Sequence, residues 1–299
     1  MKKYLLYILL FCLVTISVMA ILIKKYPSER KKISKKILSL VEKKIEGKAV
    51  DDDLADQVLP PNGITIPVKL GDLGEKMIQA GVIDKDKIDA LYTKRGSREE
   101  MDRLLTKTSS NITITKGNAN FLLNFFWALG LGNKNSTLTQ GPMVQNGDLG
   151  NFASTGGWTL SNGQAMDHYS KHEFIILDPN QQKMVIEITK NIYRPCCGNS
   201  TYFPDCNHGM AMLGFIELMA SQGFSDKEIY KAALALNSFW FPNDYLTIAE
   251  YFNENGQDWQ KVDPKIVLGK NYSSGQGIAT VKSKVKNPPF VIGGGACGV

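Results

Sequence analysis

The stretch GMAMLGFIELMASQGFSDKEIYKAALALNSFW, residues 209–240, sets the class of the fold. Apolar residues recur on both sides of Gly223 at the spacing of a helix, not the alternation of a strand. Gly209 to Ser221 reads as one helix ended by Gly223, with Ile216, Met219 and Ala220 turned toward a core. Ser225-Asp226-Lys227-Glu228 is a capping box, so a further helix runs from Asp226 to about Trp240, where Pro242 stops it. Its inner face is Ile229, Ala233, Leu236 and Trp240. So short a connection makes the pair an antiparallel hairpin.

Upstream, Asp178-Pro179-Asn180-Gln181 opens another helix, with Asp as cap, Pro as first helical residue and Gln reaching back. Met184, Val185, Ile188 and Ile192 share its face, and it delivers the chain to Pro195. Phe121 to Leu131 (FLLNFFWALGL) is intensely apolar but far short of the roughly 20 residues a bilayer requires, so it is a buried core helix ended by Gly132-Asn133. Gly71 to Tyr92 reads as a helix, a break at Gly81 and a short helix opened by Asp84, with Met77, Ile78, Ile88 and Leu91 facing inward. Two short strands are expected, Asn111 to Thr115 (NITIT) and a buried Phe174 to Leu177 (FIIL). Residues 132–163, rich in Gly, Asn, Ser and Thr, read as a long irregular excursion. The expectation is a mainly α protein with a few short strands, one helical globular domain over residues 59–285 and a flexible Gly-rich tail over 286–299.

A chain of 299 residues with 43% hydrophobic content is long enough for such a core. Its first part has another destination. Tyr4 to Ile23 carries no charge, is bounded by Lys2-Lys3 and Lys24-Lys25, and at about 1.5 Å per residue spans about 30 Å of hydrocarbon. Residues 1–25 are therefore expected to be a single-pass transmembrane anchor. Ile21-Leu22-Ile23 prolong the apolar run past the signal-peptidase-like Val18-Met19-Ala20, which disfavours cleavage, and Cys12 is read as a buried membrane residue. Residues 26–58 read as a basic amphipathic helix, with Ile33, Ile37, Leu40, Val41 and Ile45 at helical spacing, followed by an acidic linker at Asp51-Asp52-Asp53. The basic flank alone argues for a cytoplasmic body. The short basic start followed at once by an apolar run is the usual export format, and the body is expected outside the cytoplasm. The net charge of +6 comes largely from this flank, which suits anionic lipid and gives no nucleic-acid surface. The partners expected are the membrane and a protein.

The chemistry concentrates in PCCGNSTYFPDCNHGMAM, residues 195–212. All three histidines and three of the five cysteines lie between His168 and His208. In a metal reading, two or three of Cys196, Cys197, Cys206 and His208 bind one ion, with His168, His172 or Met212 completing its shell. Soft thiolate and thioether donors favour copper as Cu(I), whereas Cys and His in fourfold coordination favour zinc. Cys206 and His208 stand at a helix start, where unpaired N–H groups and the dipole stabilise a thiolate. His208 and Met212 share a helix face, and so would His168 and His172 if their segment were helical. Asp167 and Asp205 are candidates to orient these ligands from behind. In a redox reading, Cys206 works with Cys196 or Cys197 as a thiol-disulfide oxidoreductase or sensor, with Cys297 as a further thiol. In the plainest reading the motif holds a structural disulfide. There is no phosphate-binding glycine loop, G-x-S-x-G elbow, H-E-x-x-H or C-x-x-C-H, so nucleotide, serine-hydrolase, zincin and haem-attachment signatures are missing.

Pro195-Cys196-Cys197-Gly198, Asp205-Cys206, His208 and the following Gly223-Phe224-Ser225 with Glu228-Ile229 resemble the PCYCGC-motif family of exported bacterial proteins over about residues 195–245. Adjacent cysteines stand here where that family has C-x-C, and Met210 and Met212 stand where it has further cysteines. The resemblance implies export, membrane attachment and metal handling. It implies no reaction.

Overall fold

Capping and burial together place the helices in the computed structural model, which describes residues 52–95 and 98–286. These belong to one compact unit. The order begins α1 (Asp52–Val58), β1 (Ile64–Gly71), α2 (Leu73–Gln79), α3 (Lys85–Arg95), α4 (Arg98–Leu105), β2 (Thr108–Ile114), α5 (Ala119–Gly132), α6 (Ser136–Gln140) and α7 (Pro142–Gln145). It continues with α8 (Pro179–Asn191), α9 (Asn207–Ser221), α10 (Asp226–Trp240), α11 (Pro242–Glu254), α12 (Pro264–Val267), α13 (Lys270–Ser273) and α14 (Gly275–Lys282). The mainly α expectation holds.

Two nearly all-buried helices, α5 and α9, form the centre. They pack on one another through glycine. A Cβ placed on Gly214 would lie 2.5 Å from both the Phe126 carbonyl oxygen and the Gly130 backbone nitrogen, and one on Gly130 would strike the Met210 carbonyl. No side chain separates the backbones there, and Phe126 and Phe215 meet edge-on beside the crossing with ring centroids 5.1 Å apart. Helix α10 covers α9, with Ile229, Ala233, Leu236 and Trp240 all buried as expected. Its capping box is complete: Ser225 Oγ accepts from the Glu228 N–H, and the Glu228 carboxylate accepts from the Ser225 N–H. Helix α8 carries the same device at Asp178 and Gln181.

Three local expectations change. Phe174–Leu177 is not a strand: Asn133 Oδ1 accepts the Ile175 N–H at 2.9 Å, standing in for a neighbouring strand, and Ile176 is 77% exposed. The stretch read as linker is helical at its end, because Leu54 and Val58, four apart, bury their side chains where α1 meets α11. Pro242 stops α10 at Trp240 as expected, and it also occupies the first turn of the next helix, α11, where its missing N–H costs nothing. The excursion after Gly132 holds α6 and α7, and Asn135 caps α6 by accepting the Thr137 N–H. The strand expected at residues 111–115 is present as part of β2, paired antiparallel with β1 as Ile64 to Ile114 and Ile66 to Ile112. No helix among the described residues is long and apolar enough to cross a membrane. The expected anchor, the amphipathic helix at 28–48 and the tail with Cys297 lie outside the described residues.

Glu217 sits on α9 at the centre of the core, with no exposed surface. Asn133 Nδ2 donates to its Oε2 at 2.7 Å. Burial pushes its carboxyl well above the ordinary range, so it is held as a neutral acid. Above the ordinary value of 4.5 the folded chain keeps a proton that the unfolded chain loses, so stability falls as pH rises toward the raised folded value. Glu217→Gln keeps the shape and the accepting oxygen but cannot ionise. Urea unfolding at several pH values should show the native chain losing up to about 1.4 kcal/mol per pH unit relative to the variant through that window; parallel curves would contradict this expectation.

Candidate functional site

The turn from Arg194 to Cys206 is held from below by the core. The Tyr193 N–H donates to the Leu268 carbonyl at 2.8 Å, and Asn237 Nδ2 on α10 donates to the Tyr193 carbonyl at 3.1 Å. Asn237 is fixed in turn by Tyr245, which hydrogen-bonds Ser273 on α13 at 2.8 Å. The turn closes on itself where the Thr201 N–H reaches the Ile192 carbonyl at 2.8 Å, and the Gly275 N–H that opens α14 holds the Cys197 carbonyl at 2.7 Å. Residues of α10, α11, α13 and α14 thus fix where the cysteines stand.

Arg194, which sequence reading passed over, organises the turn. Its side chain is only 1% exposed, and its guanidinium donates to Cys206 Sγ at 3.0 Å, the Asn199 carbonyl at 3.0 Å, the Phe203 carbonyl at 3.1 Å and Asp205 Oδ1 at 2.6 Å. The planar fork suits so many acceptors around one buried cation. It lies against Gly209, where an added Cβ would be 2.5 Å from the Arg194 Cζ. That contact explains a glycine in the first turn of a helix.

Cys206 is the N-cap of α9, and its sulfur accepts the Gly209 N–H at 3.4 Å. Cys196 Sγ lies 3.6 Å from Cys206 Sγ. Thiol hydrogen bonds from Cys196 and Cys197, with the Arg194 charge, hold Cys206 well below the usual thiol range despite its burial. Hydrogen bonding to Cys197 and Cys206, together with burial, pushes the Cys196 thiol far up. Of the two, Cys196 is exposed and Cys206 is half-buried.

His208 is buried, with ring centroids 4.3 Å from Phe241 and 5.8 Å from Trp240. Its Nδ1 lies 2.8 Å from Asn207 Oδ1, which also accepts the His208 backbone N–H. An amide oxygen only accepts, so Nδ1 carries the proton and Nε2 the ring's in-plane lone pair. Metal-binding imidazoles are commonly oriented in this way. Burial pushes the ring down to about 4, opposed by the Cys206 charge and aided by Arg194. Between about 4 and the ordinary value of 6.5 the unfolded chain binds a proton that the folded chain does not. Stability is therefore full above 6.5 and lost as pH falls, by about 3 kcal/mol at this residue. The metal-free chain compared with His208→Gln by thermal unfolding at pH 7 and pH 4.5 should show this extra loss in the native chain only.

Ligand atoms of Cys196, Cys206 and His208 all lie within 4.8 Å of one another, as do those of Cys197, Asp205 and Cys206. The second group is committed elsewhere: Asp205 Oδ1 accepts from Arg194, its Oδ2 accepts from Asn199 Nδ2 at 2.8 Å, and Cys197 Sγ leans toward the Asn199 carbonyl at 3.9 Å. Asp205 thus orients Arg194 and, through it, Cys206. The first group is the candidate metal centre.

The remaining expected ligands stand apart from this group. His168 and His172 are not on a helix; a turn with Ser170 at φ 51° brings His168 Nδ1 within 3.1 Å of His172 Nε2, and His168 Nε2 is 2.8 Å from the Asn162 carbonyl. Neither joins the cysteines in a ligand group. Asp167 touches no imidazole in this arrangement; its carboxylate accepts the Gln164 N–H and completes a capping box. Met212 is packed in the hydrophobic core. The chain matches no family model, no curated protein and no solved structure.

Proposed function

We propose that this chain binds one soft metal ion, copper as Cu(I) or zinc, through Cys196 Sγ, Cys206 Sγ and His208 Nε2, and handles that ion at a membrane. The convergence of the Cys196 and Cys206 sulfurs and a ring nitrogen of His208 within 4.8 Å carries the reading. Two sulfurs and a neutral imidazole are donors that soft ions prefer. Zinc is almost always four-coordinate in proteins, so it would need a fourth donor from the exposed Cys196 side, such as water or a partner's ligand. The apolar run at residues 4–23 with its basic flank supports anchoring, with the folded part outside the cytoplasm. The resemblance to PCYCGC-motif proteins points the same way.

Thiol-disulfide catalysis is the weaker reading, because repeated turnover, unlike a single oxidation, needs the stabilised thiolate where a substrate reaches it. Here the exposed Cys196 is the thiol pushed up, and the stabilised Cys206 is half-buried against Arg194.

Metal analysis of the purified full-length chain under reducing conditions tests the proposal. One ion per chain is expected, with Cys206→Ser binding at least about 100-fold more weakly and Cys297→Ser unchanged. Absence of stoichiometric metal from the native chain would refute it.

A further inference from the structure

We infer that Cys196 and Cys206 form a redox gate on this site: closing them to a disulfide removes two of the three donors and releases the ion. The inference rests on the metal-binding reading above.

The geometry supplies the parts. The two sulfurs stand 3.6 Å apart, so bonding at about 2.05 Å requires a movement of roughly 1.5 Å. The freedom to move is on one side. Cys196 is exposed on a turn where a Cβ at the neighbouring Gly198 would meet nothing within 4 Å, whereas Cys206 is held by Arg194 and by the start of α9. Cys197 is the competing partner, with its sulfur also within 4.8 Å of Cys206 Sγ. That sulfur leans toward the Asn199 carbonyl at 3.9 Å, however, and the Cys197 carbonyl is held by the Gly275 N–H at 2.7 Å.

The oxidant is a small disulfide such as oxidised glutathione. The Cys196 thiol gives its proton to solvent as its sulfur attacks one glutathione sulfur; the glutathione S–S bond breaks, the departing glutathione thiolate takes up a proton, and a mixed disulfide remains on Cys196. Cys206 Sγ then attacks the Cys196 sulfur and displaces the second thiolate. Two electrons pass from the protein sulfurs to glutathione, and the ion departs with its charge unchanged. The exposed sulfur meets the oxidant, and the half-buried one stands 3.6 Å away to resolve it.

The test uses the full-length chain, reduced or equilibrated with oxidised glutathione, then freed of small thiols and titrated anaerobically with Cu(I) held by a coloured chelator. Peptide mass mapping should show a single Cys196–Cys206 bond in the oxidised chain. Its Cu(I) affinity should be lower by at least about 100-fold, with recovery after reduction. Cys197→Ser should behave like the native chain. A bond at another pair, no bond, or equal Cu(I) affinity in the two states would overturn the gate while leaving the metal site intact. Failure of the reduced chain to bind Cu(I) would remove the Cu(I) site and the gate together.

Discussion

Arg194→Met is expected to destabilise the chain by about 3–5 kcal/mol, the cost of leaving a buried charge partner uncompensated. The guanidinium is covered and makes hydrogen bonds to a sulfur, two carbonyls and a carboxylate. Methionine fills similar space but donates to none of them, so Asp205 and Cys206 lose the cation between them, and the carbonyls of Asn199 and Phe203 lose their donors. Each orphaned acceptor adds about 1–3 kcal/mol if water does not reach it. Arg194→Lys should recover only part of the loss, because an ammonium is a single point of charge and cannot fork to these positions. For a domain of this size the native-to-Met difference corresponds to a melting shift of roughly 6–20 °C. A shift below about 2 °C would mean that the turn does not depend on Arg194.

Gly214→Ala is expected to cost about 1–3 kcal/mol net, although alanine favours a helix over glycine by about 1 kcal/mol. Sterics decide the sign. The added methyl would sit 2.5 Å from backbone atoms of α5, and backbone cannot rotate aside as a side chain would. The two central helices would have to separate, opening the packing around Phe126 and Phe215. Gly198→Ala is the control: its Cβ meets nothing within 4 Å and its φ is not positive, so its stability in urea should stay within about 0.5 kcal/mol of the native chain. Equal midpoints for the Gly214→Ala variant and the native chain would show that the crossing is not tight.

Helices whose signals are local were legible in the sequence. The capping boxes at Ser225 and Asp178 and the apolar run at 121–131 place α10, α8 and most of α5, because caps and periodicity act within a few residues. Elements that depend on distant partners were not. Strand β1 contains Pro67 and reads poorly alone, yet β2 supplies its pairing. FIIL looks like a strand until the Asn133 side chain takes its backbone hydrogen bond. At the site, the cysteines and His208 drew notice as donor types, and their convergence follows from one turn between two legible helices. Arg194 was invisible because an arginine beside a proline reads as a surface residue. The pairing of Gly209 with its guanidinium is a three-dimensional fact. A glycine in the first turn of a helix, directly after His208, was the available clue. The His168–His172 pair shows the converse: spacing by four suggested a shared helix face, but a turn brought the rings together away from the cysteines.

The most direct test of the metal reading is X-ray absorption of the metal-loaded full-length chain, read for the identity of the donor atoms around the ion. Two sulfurs at about 2.3 Å and one imidazole nitrogen at about 2.0 Å are predicted for zinc, with one sulfur lost in Cys206→Ser and the nitrogen lost in His208→Gln. A shell of nitrogen and oxygen alone, or one unchanged by both substitutions, would contradict it.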